Sequence, residues 1–255
     1  MAINLQSITN SPTLAPPRLV LYGPHGVGKT TFGASAPAPI VLPFEDGIAK
    51  LDVPRFPLLT TWAEAIEALG ALYQEDHQYA TVVIDSLDWL EPLVWAEICR
   101  RHGKQDIEEF GYGKGYLHAL DVWREFFAGL VALREQKSMC VVLLAHSEIK
   151  TFNDPNNPPY DRYQMKLQPR AASLIEEWAD CVLFANFRTF IATTEAGFNK
   201  KIARGVGTGE RVLYTEERPG FRAKNRYGLP PELSFQWEAF SAALAAPAPT
   251  AAEAA

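Results

Sequence analysis

The chain has 255 residues, 47% of them hydrophobic and 21% charged, with a formal net charge of −6. That is the make-up of a soluble globular protein long enough to bury a sizeable core. Its acidic balance speaks against a surface that is a nucleic-acid platform throughout, while leaving local basic loops open. No apolar run approaches the length of a bilayer span, so neither a membrane segment nor a membrane partner is expected. Cys99, Cys140 and Cys181 form an odd, widely spaced set, which predicts reduced, buried thiols in a cytoplasm rather than disulfides or zinc.

Taken in chain order, residues 1–17 are polar and proline-containing and read as an N-terminal arm. Residues 18–22 form an apolar strand. Directly after it comes Gly23-Pro24-His25-Gly26-Val27-Gly28-Lys29-Thr30-Thr31, a complete G-x-x-x-x-G-K-T phosphate-binding loop. The glycines let successive backbone N–H groups turn inward and cradle phosphate oxygens. Lys29 brings a charge to the β/γ-phosphates, Thr30 offers a hydroxyl to Mg²⁺, and the helix that follows points its positive end at the same anion. The loop predicts a nucleoside triphosphate site, with ATP and Mg²⁺ as cofactors.

A second strand, 40–43, leads into Phe44, Glu45 and Asp46. If this strand lies beside the phosphate loop, its end faces the γ-phosphate, and a carboxylate there can orient the attacking water; Glu45 is preferred to Asp46 for that role. The alternative is an acidic turn before Gly47. Trp62, Ile66, Leu69 and Tyr73 then recur at helical spacing. The third strand, 81–85, ends in Asp85-Ser86, where a carboxylate can hold a Mg²⁺-bound water near Thr30; the same Asp could also cap the next helix. Leu87, Leu90, Val94 and Ile98 mark that helix. Tyr116, Leu120, Trp123, Phe127 and Leu130 mark the longest one, and all three stripes are read as packing on the sheet.

A fourth strand, 139–145, ends in His146-Ser147. His146 fits a γ-phosphate sensor and a hydrogen-bonded structural histidine equally; His25, inside the loop, sits at a variable position that rarely does chemistry. A fifth strand covers 181–185, and a hairpin is expected from 189–192 and 200–204 around Ala196-Gly197. Residues 245–255 are an Ala/Pro-rich segment with nothing large to bury. Strands alternating with helices predict an α/β fold with a mainly parallel central sheet flanked by helices and a C-terminal β-hairpin region.

The ordered set of loop, Glu45, Val83-Ile84-Asp85-Ser86 and the polar residue at 146 resembles the RecA-like P-loop ATPase core. Together with Gly111–Tyr116, Tyr160–Tyr163 and Lys224-Asn225-Arg226-Tyr227-Gly228-Leu229-Pro230, it is most similar to the phage and prophage ATPases of the Sak group, single-strand annealing proteins with a shortened RecA core. The resemblance implies an ATPase domain over 18–240 between the arm and a disordered tail at 241–255. It also implies work on single-stranded DNA in phage recombination or replication, in the cytoplasm of an infected or lysogenic bacterium. Partners would be further copies of the chain, in a ring or short filament with nucleotide at subunit junctions, and possibly a single-strand-binding protein. His146 stands where RecA has Gln, and the interval from Lys29 to Glu45 is shorter than in RecA.

Two loops occupy the positions where RecA-like proteins touch DNA. The first runs from Arg100 to Tyr116 and includes Lys114, but it also carries Asp106, Glu108 and Glu109. The second, after His146, carries Lys150, Phe152, Tyr160, Arg162, Tyr163, Lys166 and Arg170, cations to track phosphates and rings to stack on bases. In RecA-like assemblies a Lys-x-Arg pair near the end of the core reaches into the neighbour's site, and the resemblance implies that role for Lys224 and Arg226, which alternation along an extended segment puts on one face. The alternative is a pair of solvated cations beside a turn, or an arginine paired with a local carboxylate. An AAA+ helicase loader or replication motor, a small-molecule kinase and a nucleotide-gated recombination adaptor are the competing readings. The AAA+ reading needs a helical lid that residues 205–255 do not offer.

Overall fold

The computed structural model describes residues 15–47, 50–195 and 201–246, with side chains outside 190–206. Nine strands and six α-helices are described: β1 (Arg18–Gly23), α1 (Lys29–Ala34), β2 (Pro39–Pro43), α2 (Trp62–Gln74), β3 (Thr81–Asp85), α3 (Leu87–His102), α4 (Lys114–Gln136), β4 (Cys140–Phe152), β5 (Tyr160–Met165), α5 (Pro169–Trp178), β6 (Cys181–Glu195), β7 (Lys201–Tyr214), β8 (Lys224–Asn225), β9 (Glu232–Ser234) and α6 (Trp237–Ala245). The sheet order is β2-β3-β4-β1-β6-β7-β9, with β5 paired to β4 and β8 to β6. The first five are parallel, and β7 and β9 add antiparallel strands on one side. This is the α/β architecture expected from the alternation of elements.

Parallel strands covered on both faces must be apolar throughout. Leu19 to Tyr22, Val82 to Ile84 and Val141 to Ala145 are buried accordingly. One face receives α2, α3, α4 and α5 through Trp123, Phe126, Leu130, Leu90 and Val94. The other is covered by α1 and α6, where Phe32, Phe235, Trp237 and Phe240 cluster. The α2 stripe is displaced from expectation: Ala65, Ala68 and Leu72 face the core, whereas Ile66 and Tyr73 are exposed. Helix α2 packs mainly against α4, and a pattern built on large apolar residues undercounts alanines.

Other boundaries also move. Helix α6 runs to Ala245, past the expected domain end at 240, because Trp237 and Phe240 anchor it on Phe32. Pro16 and Pro17 of the arm accept bonds from Arg134 and Val141; residues 1–14 and 247–255 lie outside the described residues. The expected hairpin is present as β6 and β7, far longer than foreseen, with its turn at Ala196-Gly197 outside the described residues. All three cysteines are free, Cys99 and Cys181 buried. No described helix is long and apolar enough to cross a membrane.

Candidate active site

Strand β1 delivers the chain to Gly23, whose missing Cβ leaves room for the Ala185 carbonyl of β6. The loop then turns through Gly26 at φ +74° and Gly28 at φ +102°, conformations that side chains oppose. Lys29 is buried, and its Nζ donates to the Gly23 and Pro24 carbonyls at 3.1 Å each. Burial draws its pKa below the usual lysine range, against the pull of Asp88, Asp85 and Glu45. Thr30 Oγ1 donates to Asp85 Oδ2 at 2.7 Å across the gap between α1 and the end of β3. Burial raises the Asp85 pKa, and the Thr30 bond and Lys29 oppose it.

A hydroxyl and a carboxylate in contact, beside a lysine folded into the loop, fit Mg²⁺ with a triphosphate. Magnesium takes one or two protein oxygens and completes its shell with phosphate oxygens and water. Among the described residues, no group of three or more His, Cys, Asp or Glu could hold a metal.

Glu45 reaches this site by a different route from the one expected. Strand β2 is not beside β1; β3 and β4 lie between them. The Phe44 N–H donates to the Asp85 carbonyl at 2.7 Å and draws the chain across the end of β3. The Glu45 carboxylate thereby lies 4.0 Å from His146 Nδ1, while Asp46 is exposed. Burial raises the Glu45 pKa, with His146 the main opposing influence.

His146 ends the apolar part of β4 and is buried. Asp88, in the first turn of α3, accepts from its backbone N–H and from Nδ1, both at 2.9 Å. Those bonds and His146 hold the Asp88 carboxyl below its usual range despite burial, so it is the acceptor and Nδ1 carries the proton. The His146 ring stacks on His25 with centroids 3.7 Å apart, joining β4 to the phosphate loop. Burial lowers the His25 pKa, with His146 and Lys29 adding to it.

Asp88 was not foreseen; its signal was an acid three residues after Asp85 in a helix's first turn. Glu91, one turn further along α3, was also missed. It is buried, accepts the Gln168 N–H at the start of α5, and burial lifts its pKa to about 7.

The second of the two loops expected to touch DNA is a hairpin of β4 and β5 rather than a loop. It divides the expected residues into two sets. Lys150, Lys166 and Arg170 are exposed, although Lys150 pairs with Glu148 at 2.6 Å. Phe152 and Tyr160 meet edge to face across the strands. Arg162 is not at the surface: it is buried, bonded to Glu217 and the Phe221 carbonyl, and lies over Phe152. Tyr163 is half-buried against Phe184. Being consecutive in β5, these two leave the strand on opposite sides, and each is engaged with the body of the protein through its own contacts. In the first segment, Lys114 opens α4, and Glu108 is occupied by the Tyr116 hydroxyl.

Lys224 and Arg226 do share a face, but it is turned toward their own chain. Lys224 Nζ donates to the carbonyls of Glu176, Glu177 and Ala179 and so caps α5. Arg226 lies 3.3 Å from Asp180 with half its side chain exposed. Strand β8 pairs with the start of β6, at the end of the strands opposite Gly23.

A buried loop lysine, a threonine on a strand-end aspartate and a parallel sheet that presents both define a P-loop ATPase domain. The chain matches the AAA domain family over residues 15–227 and belongs to it. It is 23% identical over 113 residues to the SPbeta prophage-derived uncharacterized protein YorG of Bacillus subtilis (strain 168), covering 42% of this chain and 35% of YorG. The chain thus spans about a third of that relative's length. Against the crystal structure of the RadB recombinase the TM-score is 0.47 at 14% identity, covering 88% of this chain and 90% of that one.

Proposed function

We propose that this chain hydrolyses ATP with Mg²⁺ and couples the cycle to single-stranded DNA in phage recombination or replication, as a RecA-like ATPase of the Sak kind. The observation that carries the ATPase reading is the 2.7 Å contact of Thr30 with Asp85 beside the buried Lys29. Bound MgATP would lie on the loop amides, with Lys29 on its phosphates and Thr30 and Asp85 toward the ion. Glu45 orients the attacking water. His146, held by Asp88, senses the γ-phosphate and passes its presence into the β4–β5 hairpin, which begins one residue later.

Exposed Lys150, Lys166 and Arg170 on and after that hairpin are the proposed phosphate contacts of the DNA strand, with Phe152 and Tyr160 at its far end. Lys114 is a weaker contact on the first segment. Assembly with further copies of the chain, with nucleotide at the junctions, and contact with a single-strand-binding protein belong to the same reading. A loader or motor of the AAA+ kind is favoured by the family match, but residues 205–246 hold one nine-residue helix and no helical lid among the described residues. ATP turnover measured with and without single-stranded DNA tests the proposal. Turnover that requires Mg²⁺ and rises with DNA is the expected result. Turnover indifferent to DNA removes the DNA role, and none in either case removes the ATPase.

A further inference from the structure

We infer that Arg211 is a positioning residue of the nucleotide site, holding the Val27 carbonyl from outside the phosphate loop so that the Gly28 N–H points inward. The inference rests on the nucleotide reading of that loop. Arg211 stands on β7, opposite Phe187 of β6, far along the chain from the loop. Its Nη1 donates to the Val27 carbonyl at 3.2 Å. A Cβ built on Gly28 would come 2.6 Å from the same nitrogen, so the guanidinium lies directly against the loop.

The consequence follows from peptide geometry. In a planar trans peptide, the carbonyl of residue 27 and the N–H of residue 28 point in opposite directions. Fixing one outward therefore aims the other inward, where a phosphate oxygen is to be bound. Gly28, at φ +102°, has no side chain to resist rotation of that peptide. The restraint must come from elsewhere, and Arg211 supplies it.

Arg211 is itself placed for this task. Its guanidinium carbon lies 5.7 Å from the centre of the Phe235 ring, and Phe235 stacks on Phe32 of α1 at 5.2 Å. Arg188 and Arg218 nearby are taken up by Glu210 and Glu232, whereas Arg211 makes no ion pair among the described residues. Its charge therefore remains uncompensated beside the anion site, which favours a phosphate there.

The full chain is tested as wild type, Arg211→Met, Arg211→Lys and Lys29→Ala. Met keeps an apolar stem against Phe235 and removes the donor; Lys keeps one donor and the charge. MgADP affinity is read by calorimetry, with KM and kcat for ATP and the melting temperature without nucleotide. Arg211→Met is expected to weaken MgADP and raise KM by about tenfold, the scale of one charged hydrogen bond. Its kcat should fall less, its melting temperature should stay near wild type, and Arg211→Lys should recover much of the loss. Wild-type affinity and KM in Arg211→Met, or a Lys variant no better than Met, overturns the assignment. If Lys29→Ala loses MgADP while Arg211→Met keeps it, only the Arg211 role falls. If the wild type binds no MgADP, the nucleotide reading falls and takes this one with it.

Discussion

Glu45, His146 and Asp88 form a chain of side chains at the rim of the nucleotide site, and each should fail in its own way. Glu45→Gln keeps the shape but loses the charge that orients water, so turnover should drop on the order of a hundredfold while ATP binding persists. Asp46→Asn, altering an exposed carboxylate, should have little effect; the reverse ranking in steady-state rates would transfer the role to Asp46. Asp88→Asn weakens the two bonds that hold His146 in place. About a tenfold fall in kcat with near-normal MgADP affinity is expected, in line with losses when an orienting partner is removed. Equal activity to wild type would make His146 a structural histidine. Why Asp88 escaped notice is physical. An acid in a helix's first turn is ordinarily explained by the helix itself, and only the fold shows which histidine it meets.

At the scale of elements, the β4–β5 hairpin and the α3–α5 contact make opposite kinds of prediction. Replacing Lys150, Lys166 and Arg170 together by Ala should weaken single-stranded DNA binding and flatten its salt dependence, since a protein with fewer cations on the phosphates displaces fewer counterions. Arg162→Ala should instead lower thermal stability, by about 1–3 kcal/mol, because it removes a buried hydrogen-bonded group that packs on Phe152. A salt slope changed by Arg162→Ala and not by the triple variant would reverse this division.

Glu91 brings a pH dependence. Its folded pKa, about 7, lies above the usual 4.5. Its stabilising contribution is therefore complete below about pH 4.5 and is lost as pH rises through 7, by on the order of 3 kcal/mol. Glu91→Gln should flatten the melting temperature across that window and raise it at pH 8. An unchanged pH profile would show that Glu91 titrates normally.

At the scale of the whole molecule, the proposed assembly would put a second copy of the chain across from the site. Lys224 is engaged with the end of α5, and Arg226 is the member of the pair with an exposed guanidinium. If Arg226 completes a neighbour's site, Arg226→Ala subunits should be inactive alone but regain turnover when mixed with inactive Lys29→Ala subunits, because some junctions then pair an intact arginine with an intact lysine. Normal hydrolysis by Arg226→Ala at every protein concentration would end the trans role. Nearer the chain itself, Asp180 gathers Arg18, Arg134 and Arg226 where β6 begins, so part of what Arg226 does is local.

The phosphate loop, the strand ending in Asp85, the α/β layering and the core stripes of α3 and α4 were legible from residues alone. Each rests on local rules: glycine's access to positive φ, the apolar run of a buried parallel strand, and helical periodicity. What only the tertiary structure decided depends on strand order and on packing between segments distant in the chain. Strand order put β3 and β4 between β2 and β1, so that Glu45 reaches the site by crossing the end of β3. Contacts with Glu217, the Phe221 carbonyl and Phe152 hold Arg162 inward, whereas Lys150, paired with it across the strands, and Lys166 stay outside. Long-range packing set Asp88 on His146, His146 on His25 and Arg211 on Val27, contacts between residues dozens to more than a hundred positions apart. No local pattern encodes such pairings, because the energy that makes them comes from how the layers close on one another.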